Sequence, residues 1–184
     1  MEKDALSAGV NPIGGLFSVA EIRILICYIL SAIQEPVPAQ QLAETLHYEE
    51  IANYFEVIDS ISALEKNGHI KCTDQKEKLY TLLPLGKEVA DTLKTSLPIV
   101  VKERAHTATL KMVARYKNAK ETDIKFTREG DRSFITCSAL DGTDVFMSVK
   151  LMVADEEQAN FIKNKFIDDP AKIYSSIIAL LTKK

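Results

Sequence analysis

The sequence has no tryptophan and is poor in cysteine, glycine and proline, with 3, 7 and 6 residues among 184. The few glycines and prolines, together with 46% hydrophobic residues, exclude a disordered or low-complexity chain. Cys27, Cys72 and Cys137 lie far apart and form no CxxC pair. This pattern excludes a disulfide framework and a zinc finger, and it predicts free, mostly buried thiols in a reducing compartment.

Long apolar runs are also absent. No run reaches the roughly 18 residues that a membrane-spanning helix needs, because Arg23 and Tyr28 interrupt the longest one. The first residues lack the basic start and apolar core of a signal peptide. We therefore expect a cytoplasmic protein with no membrane partner.

The signatures of common active sites are missing as well. The sequence contains no phosphate-binding glycine loop, no HExxH pair and no GxSxG turn. Its three histidines have no metal-ligand spacing, and its acidic pairs stand at helix starts, where the helix dipole stabilises them. The sequence thus predicts neither an enzyme nor a bound cofactor or metal.

Residues 1–17 contain several breakers and are predicted to form a flexible arm. Ser18 and Glu21 then make a capping-box signature, which predicts the start of a first helix. A second helix is expected from Pro38, in its first turn, and a third helix should end at Asn67. The predicted core residues of the third helix recur at helical spacing: Tyr54, Val57, Ile58, Ile61 and Leu64.

Two short β-forming runs follow, separated by the polar turn "DQKE", and a further helix begins at "PLGKE". Three helices, a two-stranded hairpin and a fourth helix occur in the order of a winged helix-turn-helix. Residues 18–96 are therefore predicted to be a winged-helix domain. Residues 97–120 keep one apolar face and are predicted to form a long linking helix; its expected core positions are Leu97, Val101, Ala105, Ala108, Met112 and Tyr116.

In residues 121–184 the apolar period changes from that of a helix to that of a strand. Three strands with short connections, one of them at Asp141-Gly142, predict an antiparallel meander. Two helices are expected after it, beginning near Asp155 and at Asp169. The last helix should bury a stripe of Tyr174, Ile177, Ile178 and Leu181. The predicted fold class is α+β: an N-terminal winged helix-turn-helix, a linking helix, and a C-terminal three-stranded antiparallel sheet with two helices.

Charge conflicts with the simplest function of such a domain. Residues 18–96 carry 7 Lys and Arg against 12 Asp and Glu, a balance of −5, whereas residues 97–184 carry 15 against 12. Phosphate neutralisation supplies most non-specific DNA affinity, so the acidic domain alone should bind DNA weakly.

The third helix of a winged helix enters the major groove, and the wing contacts the DNA backbone or the minor groove. We expect the surface of the third helix to include Asn53, Glu56, Asp59, Ser60 and Ala63. The nine DNA-binding candidates are the helix residues Asn53, Tyr54 and Ser60, the wing residues Lys71, Lys76 and Lys78, and the linking-helix residues Arg104, Lys111 and Arg115. Tyr54 has a competing role in the core. Arg104, Lys111 and Arg115 share one helix face, and they could instead pair with the acidic domain, in the same chain or in a dimer partner, or be solvated.

Four segments carry a family resemblance: "NYFEVIDSISALEKNGHI", "YTLLPLGKE", "DEEQANFI" and "IYSSIIALL". Over roughly residues 18–181 the sequence resembles a bacterial family of small uncharacterised proteins, domain of unknown function 4364. The resemblance implies a winged-helix transcriptional regulator with an appended α+β domain. The segment "YTLLPLG" is also similar to the wing-to-helix turn of winged-helix repressors, in which threonine usually occupies the position of Leu83. Without that hydroxyl, the turn must be stabilised differently.

Two functions remain open at this stage. The first is a homodimeric transcriptional regulator that binds duplex DNA, with dimerisation through the long helix or an exposed sheet face. The second is a winged-helix module that binds a protein partner and no DNA, which the acidic domain favours. A lysine-rich wing in close homologues would favour the first function, and an acidic wing in them would favour the second.

Overall fold

The computed structural model describes Leu16 and residues 18–183. These residues form a mixed α+β structure with seven α-helices and two three-stranded antiparallel sheets. The predicted α+β class is therefore confirmed. The chain divides into two units, Met1–Val113 and Ala114–Lys184. Most of the predicted arm lies outside the described residues. Leu16 is the exception: it is buried, and its N–H donates to the Ile51 carbonyl at 2.8 Å.

The first unit contains four helices, the first part of a fifth and a small sheet. Its elements are α1 (Val19–Ile33), β1 (Val37–Pro38), α2 (Ala39–Tyr48), α3 (Tyr54–Lys66), β2 (Ile70–Asp74), β3 (Leu79–Leu82), α4 (Pro84–Leu93) and the first part of α5 (Ile99–Lys120). The strand order is β1-β3-β2, with Val37 paired to Tyr80 and Ile70 paired to Leu82. The predicted hairpin is β2 and β3. Strand β1 was not predicted, and it places Pro38 at the N-cap of α2, one residue before the helix.

Local capping signals explain where several helices begin. The Ser18 hydroxyl accepts from the Glu21 N–H, and the Glu21 carboxylate accepts from the Ser18 N–H, so the predicted capping box is present. Asp155 and Asp169 cap the two helices of the second unit in the same way, each accepting from the N–H three residues later. These contacts satisfy N–H groups that a helix start leaves without partners.

The core of the first unit lies between α1 and the elements around it. Helix α1 buries one side, and fully buried side chains such as Leu25 and Ile26 each stabilise the fold by about 1.5–3 kcal/mol. The first part of α5 completes this core with Val101, Ala105 and Met112. Thr109 is fully buried there, whereas the predicted core residue Ala108 is only half-buried. The Thr109 hydroxyl is satisfied by the Ala105 carbonyl at 2.7 Å.

The turn from β3 into α4 has no side-chain cap, as the leucine at position 83 implies. Instead the Leu83 N–H donates to the His69 carbonyl at 2.9 Å, and Pro84 supplies a preset first helical residue. Gly86 packs so closely that a Cβ would lie 2.3 Å from the His69 oxygen. Backbone packing therefore replaces the missing hydroxyl.

The second unit is the predicted meander followed by two helices. Its elements are β4 (Thr122–Glu129), β5 (Arg132–Asp141), β6 (Asp144–Val153), α6 (Glu156–Asp168) and α7 (Pro170–Thr182), after the end of α5. The strand order is β4-β5-β6, with antiparallel pairing throughout. Both tight turns contain a glycine at positive φ, Gly130 at 64° and Gly142 at 61°, which a side chain would disfavour.

Ile135, Cys137, Met147 and Phe166 belong to the small core between this sheet and α6. Helix α7 contributes only Ile173 and Ile177, both partly buried. The predicted buried stripe of α7 is therefore wrong in three of its four members: Tyr174, Ile178 and Leu181 are exposed. The sheet and α6 contact α7 along the row of Ile173 and Ile177, which is rotated by about a fifth of a turn from the centre of the predicted stripe.

Candidate functional site

Helix α3 has a long solvent-exposed face. The side chains Phe55, Asp59, Ser62 and Lys66 are all exposed, and their spacing of four, three and four residues places them in one row. Asn53 is exposed at the N-cap of the helix, where its Oδ1 accepts from the Phe55 N–H at 2.9 Å. The predicted candidate Asn53 thus lies on the surface and caps the helix.

Tyr54 takes the core role rather than a surface role. It is partly buried and packs against the main core, and its ring meets the Phe55 ring edge to face at 5.4 Å. Phe55 points outward from this pair and is 73% exposed. Phe55 was not among the candidates, although the stripe that contains Ile58 and Ile61 already places position 55 off the buried side of α3.

The expectation that Ser60 faces solvent is wrong. Ser60 is fully buried, because it follows Val57 by three residues and precedes Leu64 by four, on the buried side of α3. Its hydroxyl has no hydrogen-bond partner among the described residues. Ser60 therefore cannot contact DNA bases in this structure.

The β2–β3 hairpin presents the three predicted lysines. Lys71, Lys76 and Lys78 are all exposed. The turn is ordered by the Asp74 carboxylate, whose Oδ1 accepts from the N–H of Lys76 at 2.8 Å and of Glu77 at 3.0 Å. Lys78 has a left-handed backbone with φ 52°, and its ammonium donates to Gln75 at 3.1 Å. The hairpin thus forms a defined surface with lysines on β2 and in the turn.

The three basic residues of α5 do not form one free patch. The Arg104 guanidinium donates to the carbonyl oxygen of Glu49 in the first unit. Lys111 is exposed. Arg115 lies in the second unit, where it pairs with Asp168 and donates to the Asn164 side chain at 2.8 Å. Two of the three side chains therefore have intramolecular acceptors, one of them a backbone carbonyl that no charge pattern could reveal.

Burial shifts the pKa of one phenol and two thiols. The Tyr80 hydroxyl donates to the Glu65 carboxylate at 3.1 Å, and burial together with this carboxylate raises the pKa of the phenol to about 12. Burial also raises the pKa of the Cys27 thiol to about 11 and raises the pKa of the Cys137 thiol. Because these shifts stabilise neutral forms and none lies in a cleft of converging polar groups, they favour structural roles.

Within the described part of the chain, no cluster of three or more His, Cys, Asp or Glu side chains could hold a metal ion. Nor does any described helix combine the length and apolar character needed to cross a membrane.

The fold and surface define a small mixed α+β protein of two units that carries an aromatic helix face and a lysine-bearing hairpin. The chain belongs to the family described as "Domain of unknown function (DUF4364)", whose model matches residues 22–181. Comparison with curated proteins gave no match, and comparison with solved structures gave none. The family resemblance in the sequence is confirmed, and any function must be inferred from the chain itself.

Proposed function

We propose that the first unit is a winged helix-turn-helix and that the protein is a dimeric transcriptional regulator that binds duplex DNA and has no catalytic activity. The order of α1, β1, α2, α3, β2, β3 and α4 supports this, as does the pairing of β1 with β3 beside the hairpin. In this interpretation α3 is the recognition helix and the β2–β3 hairpin is the wing. The observation that carries the proposal is the exposure of all three wing lysines, on β2 and in the turn, directly after α3.

Each exposed group has a suitable role on DNA. Lys71, Lys76 and Lys78 would contact phosphates, which position a protein on the duplex. Phe55 would lie in the major groove, where an apolar side chain can contact a thymine methyl group. Asp59 would be repelled by phosphates, so binding of arbitrary sequences should be weak, and the lysine–phosphate contacts should make it strongly dependent on salt.

Fluorescence anisotropy with a random-sequence duplex at about 50 mM and about 200 mM salt tests the proposal, because phosphate contacts weaken steeply over this range. We expect Lys71→Gln, Lys76→Gln and Lys78→Gln together to reduce the slope of log affinity against log salt by up to about three. The matched control changes three exposed lysines of the second unit, Lys125, Lys163 and Lys172, to Gln. This control removes the same charge and should leave the slope unchanged. Absence of binding at the lower salt concentration would reject the DNA function.

The α3 surface itself supports a second candidate, a module that binds a protein. Phe55 is 73% exposed, and Tyr48, at the end of α2, is 86% exposed. Exposed aromatic side chains are typical anchors of protein interfaces. Glu56 and Asp59 flank Phe55 on α3 and would suit a partner with an apolar pocket and a basic rim.

The same variants separate the two candidates. If the module binds a protein, Phe55→Ser should lose a partner that the wild-type chain retains in a pull-down, and the variant with three wing-lysine substitutions should keep it. If the protein binds DNA, the wing variant should lose salt-dependent affinity. A partner retained equally by all variants would contradict a role for the α3 surface.

A further inference from the structure

Helix α7 carries no charged side chain between Lys172 and Lys183. Its six large apolar residues occupy an arc of about 160° at 100° per residue. In order around the helix they are Leu180, Ile173, Ile177, Leu181, Tyr174 and Ile178. A helix with so wide an apolar surface is normally covered on that whole side. Here no residue of α7 is fully buried, and Leu180 and Leu181 are 74% and 78% exposed.

Beside α7 lies an apolar groove with a volume of about 270 Å³, formed by α6, α7 and the sheet. Val149, Leu151, Phe161 and Ile177 are among its lining residues. Although they line the groove, Leu151 is 44% and Phe161 is 64% exposed. The groove and the outer side of α7 thus form a continuous apolar surface on the second unit.

The extent of this surface decides what covers it. A fully exposed aromatic side chain presents about 150–250 Å² to solvent. With the exposed fractions given above, the apolar side chains of α7 and the groove together present on the order of several hundred Å² to solvent. Single-chain proteins rarely expose a larger apolar patch, and one partner of a stable interface buries about 800 Å². A small molecule could fill the groove, but it would leave Ile178 and Leu181 in water.

We propose that a second copy of the chain covers α7 and the groove, with the two α7 helices packed antiparallel across a two-fold axis. An interface of this kind is built from the same surface on both copies, so it must be self-complementary. The uncharged stretch of α7 places no like charges opposite each other. Asp169 precedes the helix and Lys183 follows it, so the antiparallel arrangement brings Asp169 of each copy towards Lys183 of the other.

The inference rests on the dimeric part of the proposed function and is independent of DNA binding. Sedimentation velocity of the full chain between about 1 µM and 100 µM covers the affinities expected for interfaces of this size. We expect a dimer whose dissociation constant rises at least tenfold with Leu181→Asp. Ala179→Asp is the matched control, because it adds the same charge two residues away on the opposite side of α7. It should leave the dissociation constant unchanged.

The possible results are distinct. A dimer that is insensitive to Leu181→Asp would place the interface elsewhere and overturn this inference alone. A wild-type monomer at the highest concentration would overturn both the inference and the dimeric part of the proposed function, while DNA binding would still be tested by anisotropy. A monomer carrying an apolar molecule in native mass spectrometry would assign the groove to a ligand instead and likewise overturn the inference.

Orientation has its own test. Ile178 lies near the middle of α7, so in the antiparallel arrangement it approaches its own copy across the axis. Ile178→Cys, in a Cys72→Ser background, should form a disulfide between copies under mild oxidation, whereas Leu181→Cys, about one turn from the axis, should not. A parallel arrangement would place each of these positions beside its own copy, so equally ready cross-linking of Leu181→Cys and Ile178→Cys would overturn the antiparallel arrangement.

Discussion

The carbonyl oxygen of His69 lies 2.3 Å from the position that a Cβ on residue 86 would occupy. The same oxygen accepts the Leu83 N–H at 2.9 Å. The His69 carbonyl, just before β2, therefore fixes both the end of β3 and the first turn of α4. This contact gives a physical reason for glycine at position 86 that depends on space rather than on backbone conformation.

Gly86→Ala should lower the free energy of unfolding of the first unit by about 2 kcal/mol or more, because the new methyl group meets backbone that cannot move without opening the hairpin. This cost outweighs the gain of about 0.5–1 kcal/mol that alanine brings to a helix interior. Thermal melting followed by circular dichroism measures the effect. Lys87→Ala, at the next and exposed position, should stay within about 0.5 kcal/mol of wild type. Equal melting of the two variants would contradict the close contact.

The Tyr80–Glu65 hydrogen bond should contribute to stability in a pH-dependent way. Because the pKa of the phenol rises from its ordinary value of 10 to about 12, the folded state holds this proton more tightly than the unfolded chain does. The contribution is therefore fully present below pH 10 and is lost as the pH rises towards 12. Tyr80→Phe should cost about 1 kcal/mol near neutral pH.

Urea unfolding of wild type and Tyr80→Phe at about pH 8 and about pH 11 measures this change, and the difference between them should shrink at the higher pH. Tyr48→Phe serves as the control, since this phenol is exposed. A difference that stays constant across the range would show that the Tyr80 hydroxyl does not titrate with folding.

Ser60→Ala should stabilise the protein. The hydroxyl is fully buried without a partner among the described residues, so its removal recovers a desolvation cost and improves helix propensity, together about 0.5–1 kcal/mol. Ser62→Ala is the control, because that hydroxyl is exposed and donates to the Ile58 carbonyl at 3.1 Å. DNA affinity should be the same for Ser60→Ala and wild type. A loss of affinity without a change in stability would return Ser60 to the DNA-contacting surface.

The three cysteines should differ in their reaction with iodoacetamide. Cys27 and Cys137 are buried, and their raised pKa values keep them as thiols, whereas Cys72 is partly exposed. Timed alkylation followed by peptide mass spectrometry should modify Cys72 first and the other two only after unfolding. Early modification of Cys27 would mean that α1 opens readily in the native state.

Local signals explain what could be predicted from the sequence. Ser18, Asp155 and Asp169 satisfy backbone groups within three residues of themselves, so their helices begin where the sequence predicts. The Asp141-Gly142 turn is equally local, and its hairpin was predicted correctly.

Contacts between distant segments explain what could not be predicted. Strand β1 is only two residues long and exists because Val37 and Pro38 pair with β3. The Arg104 guanidinium donates to a backbone carbonyl. Because every residue has such a carbonyl, the sequence does not identify this partner. In α3 the predicted core side was correct, and only Ser60 was wrongly expected on the surface. In α7 the helix itself was correct, but the side that contacts the core was set by tertiary packing.

The sheet of the first unit has a consequence for the order of folding. Val37 meets Tyr80 only after the chain between them, which contains α2, α3 and β2, has been brought into place. The sheet of the second unit joins neighbours across turns of two residues and can form from local encounters. When the full chain refolds, we therefore expect the meander to form early and β1 to join its sheet last.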